Sequence, residues 1–421
     1  MRTEKGSGMK SESSNGSYDV AVIGGGPAGT TLATFVQRAG FRCVVLEGTA
    51  FPRYHIGESL IPHTFGPLER LGLIPKLRRS HFPKKYSVRF VSPTGAESTP
   101  FYFFETIPGD RAQTWQVERS EFDQLCLDNA RENGVEVRVP ARAEEVRFSE
   151  GRAVGVRVRD EMGETYDINA RVTVDGSGRV SLIGSQLGLR AAVNGLNKAS
   201  IWSYYRGGER LEGIDAGETT VFMLPRRGWF WYIPLPDDVV SVGIVADPDY
   251  LFAETHGFEP VFLREVERCA PLAARLSRAS RTAPVRGIRR LAYRNKKVAG
   301  HGWVMIGDAG AFLDPIYSSG LFLALPSAEL AAGCVTDALR ADDCSAPRLG
   351  AFAKPLMQGV EVVRRLIHAF YDERFSFREF VERYPEQKPA LIDCLVGDVV
   401  GKDMGPFLQT LETMTPPPPP M

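Results

Sequence analysis

The chain has 421 residues, 43% hydrophobic and 24% charged, an ordinary globular mixture that excludes a wholly disordered or collagen-like polymer. Its 51 Lys and Arg balance its 51 Asp and Glu, so no global basic field exists to hold nucleic acid, and an acidic partner has to be met by a local patch. The length predicts about two or three structural units; six scattered cysteines with no CxxC pair fit neither a zinc site nor a disulfide framework, and a reducing cytoplasm is the expected compartment.

Residues 1–17 are polar and lack the apolar core of a secretory signal, which reads as a disordered leader with Met9 as an alternative start. From Tyr18 the run YDVAVIG reads as a buried strand, Pro27 to Ala39 as a helix, and Cys43 to Glu47 (CVVLE) as a second buried strand. This is a dinucleotide-binding unit. Strand-like runs then recur at 82–104, 135–139, 153–159 and 170–174, and again at 200–205, 219–223, 229–234 and 239–245. After Ser319 the pattern turns helical. A stripe at Leu349, Phe352, Leu356, Val360, Val363, Ile367 and Phe370 lies on one helix face at spacings of three and four, which core packing explains, and Pro355 starts or kinks that helix. No uninterrupted apolar stretch approaches the roughly 18 residues of a membrane span, so no membrane partner is expected, and the final TPPPPP is read as an extended stub.

The fold class that follows is mixed α/β: a Rossmann-like cofactor module (18–80, 110–190, 282–340) interleaved with a β-rich substrate region (81–109, 191–281), a helical C-terminal region (341–414) and a Pro-rich tail (415–421). Gly24, Gly26 and Gly29 form a GxGxxG at a strand-to-helix junction, with Gly25 and Ala28 in the same turn. There the missing side chains let backbone approach a pyrophosphate at the positive helix end. Glu47 ends the second strand, where a carboxylate can bond ribose hydroxyls. A merely structural turn is the plainer alternative. These residues leave nicotinamide and flavin both open. The segments DGSGR (175–179) and VMIGDAG, with Gly307 and Asp308, each follow a strand. Asp308 suits a ribityl chain, and a helix beginning near Ser319 aims free amides at the pyrimidine edge of a flavin.

With these pieces on the page, the chain resembles the flavoprotein monooxygenase superfamily over almost its whole length, including Arg119 in VERSEFD at the position of its cofactor-contacting arginine. Within that group it resembles the flavin-dependent halogenases through FPRYHIGESLIP (Phe51 to Pro62), FPKK (Phe82 to Lys85), GWFWYIP (Gly228 to Pro234) and FLDPIYSSG (Phe312 to Gly320). The likeness is greatest to members acting on phenols and pyrroles, many of which take substrates tethered to acyl or peptidyl carrier proteins. Tryptophan-type members typically carry Glu just before the motif serine, where this chain has Tyr317.

The resemblance implies FAD, supplied as FADH2 by a separate flavin reductase, together with O2 and chloride or bromide, which generate hypohalous acid. It places Arg53, Ile56, Glu58 and Ser59 of the strap and Leu321 against the flavin, and the halide at Ser319 and Gly320. Pro315, Tyr317, Ser318, Trp229 and Trp231 then shape the active site, the two tryptophans keeping organic substrate off the flavin. Lys85 becomes the lysine that directs the halogen, since with Ser87 and Phe90 it fits the family step better than Lys84; by composition alone a lysine pair reads as solvated surface. No metal is expected. A flavin hydroxylase or epoxidase, and a non-catalytic flavin-binding or carrier-docking protein, are the rival readings. Finally Arg286, Arg289, Arg290, Arg294, Lys296 and Lys297 follow one another with no intervening acid, either a solvated strand edge or a docking surface for an acidic carrier.

Overall fold

The structure, a computed structural model, describes residues 17–225 and 228–420. The expected leader therefore lies outside the described residues apart from Ser17, which opens the first strand, Ser17–Ile23. That strand is central in a sheet ordered 299–300, 303–305, 165–175, 17–23, 43–46 and 136–138. Its pairings with 165–175 and 43–46 are parallel. Period-2 alternation divides its side chains between two cores. Val20 and Val22 pack with Leu32 and Val36 of the helix Pro27–Arg38. Ala21 and Ile23 face the opposite side, covered by an antiparallel meander through 141–149 and 152–160. Burial on both faces explains the uninterrupted apolar run.

The second sheet runs 280–281, 199–206, 239–246, 229–234, 219–223, 87–91 and 101–102. Every residue of Trp229–Pro234 is buried. Trp229, Trp231 and Ile233 belong to the large core shared with the first sheet, whereas Phe230 and Tyr232 pack on Phe262 of the helix Phe258–Arg268. The strand Arg286–Ile288, inside the stretch 282–340 assigned by sequence to the cofactor module, pairs with 199–206 of this second sheet.

The long helix Ser319–Arg340 packs against Pro27–Arg38. It is long and apolar enough to cross a bilayer, yet 72% of its apolar window is buried inside the protein, the behaviour of a core helix. From Leu356 to Phe370 the stripe forms the buried face of the helix Ala353–Tyr371, whereas Leu349 ends a separate short helix, Ala346–Leu349, and Phe352 holds the N-cap; Pro355 sits in the first turn, where a missing N–H leaves no intrahelical bond unmade. The helix Lys388–Val396 sets Ile392 and Val396 against Phe103. The tail is extended but seated. Pro419 O accepts from Nη1 of the buried Arg364 at 2.9 Å, and Pro420 O from Asn194 Nδ2 at 3.3 Å.

Candidate active site

At Gly24 the first strand ends with a φ of +99°, and a Cβ there would fall 2.5 Å from Gly176 O. One at Gly29 would fall 2.0 Å from Gly24 O. Only glycine lets the helix and the DGSGR loop close on the strand end. The result is a cleft of about 990 Å³ outside the carboxyl ends of the parallel strands, where open α/β sheets take ligands. Gly24, Gly26, Ala28 and Glu47 line it. Gly25 and Gly29 stand behind it as supports: the Gly25 amide donates to Glu47 Oε2 at 2.9 Å, and Gly29 makes the close approach. Arg53 lies over Gly26, within 3.3 Å of where its Cβ would be, and pairs with Asp123 at 3.2 Å and Glu47 at 3.7 Å. A guanidinium and an uncapped helix N-terminus thus converge on one spot, a fit for a diphosphate. Farther along, the half-buried Asp308 is pushed up to about 6 by burial, against the pull of Arg179 and Arg119. In size and donor set the cleft fits FAD.

Arg119 also lines the cleft, but its donors are committed to the protein. Nε and Nη2 bond Asp123 at 2.8 and 3.1 Å, and Nη1 donates to Ile56 O at 2.7 Å, pinning the strap. The strap brings Ile56, Glu58 and Ser59 to the cleft wall. Glu58 is 2% exposed, and burial pushes its carboxyl above the usual range, with the Tyr204 hydrogen bond opposing. It accepts from Tyr204 OH at 2.6 Å and Ser241 Oγ at 3.4 Å, and Ser241 Oγ accepts from Trp231 Nε1 at 3.0 Å. A second chain runs from Trp229 Nε1 to Tyr371 OH and from there to Asp314 Oδ2, 2.9 Å at each step. Burial pushes Asp314 up to about 6. Both tryptophans line the cleft, 6.1 Å apart, with their indole nitrogens tied. Sequence reasoning missed this network. Trp202, whose Nε1 donates to Tyr54 OH at 2.5 Å, was legible only as another aromatic in a strand.

Lys84–Lys85 pairs antiparallel with Thr114–Trp115, and alternation turns Lys84 to solvent and Lys85 inward. Lys85 is 1% exposed, so the reading of a lysine pair as solvated surface holds for Lys84 and fails for Lys85. Its Nζ donates to Ser59 Oγ at 2.8 Å and Leu60 O at 3.3 Å and stands 5.5 Å from the centre of the Phe103 ring. Burial pushes its ammonium down to about 7, Glu218 pulling the other way. Lys85 is one hydroxyl from the cleft. Ser59 and Thr219 both line it, with their oxygens 3.2 Å apart. Behind the lysine the buried Glu218 accepts from Ser87 Oγ at 2.9 Å and Arg89 Nε at 2.8 Å; no sequence motif announced it.

Ser318, at φ +52°, occupies the N-cap position of the helix Ser319–Arg340 without a side-chain capping bond; it lines the cleft with Pro315, Gly320 and Leu321. Of Ser319 only the helical backbone is described. Tyr317 departs from its expected place. It is buried edge-on against Phe370, its hydroxyl 3.5 Å from Leu366 O, and does not line the cleft, so it shapes the seat of the C-terminal helix instead. Among the described residues no group of three or more His, Cys, Asp or Glu side chains is placed to hold a metal ion.

A family model for FAD dependent oxidoreductases matches residues 19–185, and one for tryptophan halogenase matches residues 104–376. The chain is 30% identical over 423 residues to the 1H-pyrrole-2-carbonyl-(peptidyl-carrier protein) chlorinase of Pseudomonas fluorescens, covering 94% of this chain and 92% of that one. It is likewise 30% identical over 383 residues to the corresponding brominase of Pseudoalteromonas luteoviolacea, covering 90% and 91%. The solved structure of the flavin-dependent brominase Bmp2 superposes with a TM-score of 0.84 at 27% identity, covering 94% of this chain and 98% of that one. Likeness that runs end to end in both sequence and fold makes this chain a member of the tryptophan halogenase family, a flavin-dependent halogenase that works with FAD, oxygen and a halide.

Proposed function

We propose that the protein chlorinates or brominates an electron-rich ring, a pyrrole or phenol, presented on an acyl or peptidyl carrier protein in natural-product biosynthesis. The observation that carries this reading is Lys85: a buried amine, pushed down to about 7, one serine away from the cofactor cleft. When bound, reduced FAD supplies with oxygen and halide the oxidising power that yields hypohalous acid. The rest is done by this chain. The two acceptors on Lys85, Ser59 Oγ and Leu60 O, match the two N–H bonds of a neutral amine and leave its lone pair for the halogen. The N–halogen bond forms as the oxygen–halogen bond breaks, and water leaves. The ring carbon then takes the halogen from nitrogen, and the proton lost by the ring returns to the amine. Confinement matters because free hypohalous acid attacks Met, Cys and Trp side chains.

The carrier-tethered substrate is supported by the chlorinase and brominase, whose names specify pyrrolyl groups on carrier proteins and which align over nine-tenths of this chain. The reductant is assigned to a separate flavin reductase on the strength of the resemblance to the flavin-dependent halogenases. Cytoplasmic residence is supported by six free cysteines, five of them buried. Against a hydroxylase stand Trp229 and Trp231, tied at their indole nitrogens along the cleft wall. Incubation with FADH2, halide and matched free and carrier-bound pyrroles and phenols, read by mass spectrometry, tests the reading. Oxygen insertion without halogen, or rapid NADPH oxidation by the protein alone, would overturn it.

A further inference from the structure

The basic run begins on the lip of the cofactor cleft. Ile288 and Leu291 line the cleft, while the exposed Arg286, Arg289 and Arg290 lie beside them along the chain. Arg179, on the cleft wall, donates to Leu291 O and Arg290 O, each at 2.9 Å. The guanidinium groups of Arg179, Arg190, Arg286 and Arg289 are held by rings and carbonyls. Arg286 lies 4.2 Å from the centre of the Tyr54 ring, Arg289 3.9 Å from that of Phe252, and Arg190 3.8 Å from that of Tyr293. Some exposed arginines elsewhere rest on carboxylates, as Arg157 does on Glu145 and Arg268 on Glu254, whereas Arg206 and Arg278 are exposed with no such partner among the described residues. Among the described residues none of the five rim arginines has a carboxylate oxygen within 4 Å, although their neighbour Arg281 pairs with Glu259. Asp308 acts on Arg179 only from longer range. Contacts of this kind fix position without neutralising the guanidinium, so these arginines keep their positive charge at the mouth of the cleft.

What passes this rim is a dinucleotide with a doubly negative diphosphate. A carrier-borne ring has to reach Lys85 instead, whose neighbours are Ser59, Leu60 and Phe103 and none of these arginines. We propose that the arginine rim is an electrostatic collar that captures free FAD by its diphosphate and speeds association without tightening the final complex. The reduced cofactor reacts with oxygen in solution, so faster capture preserves it. This inference rests on FAD as the ligand of the cleft and is independent of carrier tethering.

Stopped-flow flavin fluorescence with full-length apoprotein tests it, using oxidised FAD and riboflavin, which lacks phosphate, as probes. R289E/R290E should lower the FAD association rate about three- to tenfold at low salt, within the range of electrostatic steering. The neutral R289Q/R290Q should lower it less. FAD dissociation and riboflavin association should stay within twofold of wild type, and the FAD difference should vanish near 1 M salt, where screening acts over about 3 Å. Unchanged FAD association in both variants overturns the collar. In that event a raised KM for carrier-bound substrate identifies a carrier dock, and an unchanged KM a solvated edge. Equal slowing of riboflavin and FAD also overturns it, since the arginines would then be shaping the cleft.

Discussion

Replacing Lys85 by Met should stabilise the protein while removing its function. The Lys85 ammonium is pushed from 10.5 down to about 7 by burial. The unfolded chain keeps that proton up to 10.5, whereas the folded chain releases it near 7. Between those pH values the unfolded state therefore binds more protons and stability rises with pH. The gap corresponds to a cost of about 5 kcal/mol well below pH 7, about 4 at pH 7 and about 2 at pH 9. Met removes that cost together with the bonds to Ser59 and Leu60, about 1 kcal/mol each. Lys85→Met should thus gain about 2 kcal/mol at pH 7 and almost nothing at pH 9. Urea unfolding of the FAD-free proteins at pH 6, 7, 8 and 9 measures the difference. A variant no more stable than wild type at pH 6, or an advantage that does not shrink as pH rises, would refute the reasoning. The same variant should keep FAD binding and hypohalous acid formation but lose ring halogenation.

If Lys85 acts as the neutral amine, halogenated product per hypohalous acid formed should rise with pH through about 7 and level off above it; a ratio that is flat or falls from pH 6 to 8.5 contradicts this. Gly29→Ala, whose Cβ would stand 2.0 Å from Gly24 O, should weaken FAD binding at least tenfold by equilibrium titration and lower Tm. Gly333→Ala, in the long helix with nothing within 4 Å of its Cβ, should leave FAD binding alone and add about 1 kcal/mol. Thiol titration should find at most one fast-reacting cysteine in the native protein, the half-buried Cys334, and all six in denaturant; slow native reaction with fewer than six after unfolding would reveal a disulfide.

The parts of this fold legible in the sequence are those governed by neighbouring residues. The glycine turn could be read because its requirement is steric and local, with Gly24 and Gly29 unable to carry a Cβ. The stripe from Leu356 to Phe370 was legible because one period describes one buried face. Lys85 was assigned through family likeness, and its burial could not be read locally. Two lysines in a row look solvated until a strand at 114–115 and Phe103 arrive from elsewhere in the chain. The partners of Glu58 lie about 146 and 183 residues away, so a carboxylate in a turn motif carried no sign of them. Tyr317 was misplaced for the same reason. Its segment adjoins the cleft, but its ring is claimed by Phe370 on a helix formed some 50 residues later. Arg286–Ile288, inside the stretch assigned to the cofactor module, pairs with a strand of the second sheet, which three residues carry too little pattern to foretell.

The tethering of the indoles gives the protein a built-in optical reporter. Trp202 is bonded to Tyr54 of the strap, and Trp231 reaches Glu58 of the strap through Ser241. Trp229 is bonded instead to Tyr371 on the C-terminal helix. Three of the five tryptophans therefore sit where any shift of the strap or of that helix alters the polarity around an excited indole. Emission from the unlabelled protein will report any displacement of the strap relative to the C-terminal helix when ligand binds, and single Trp→Phe substitutions will assign each component of the signal to its own tether.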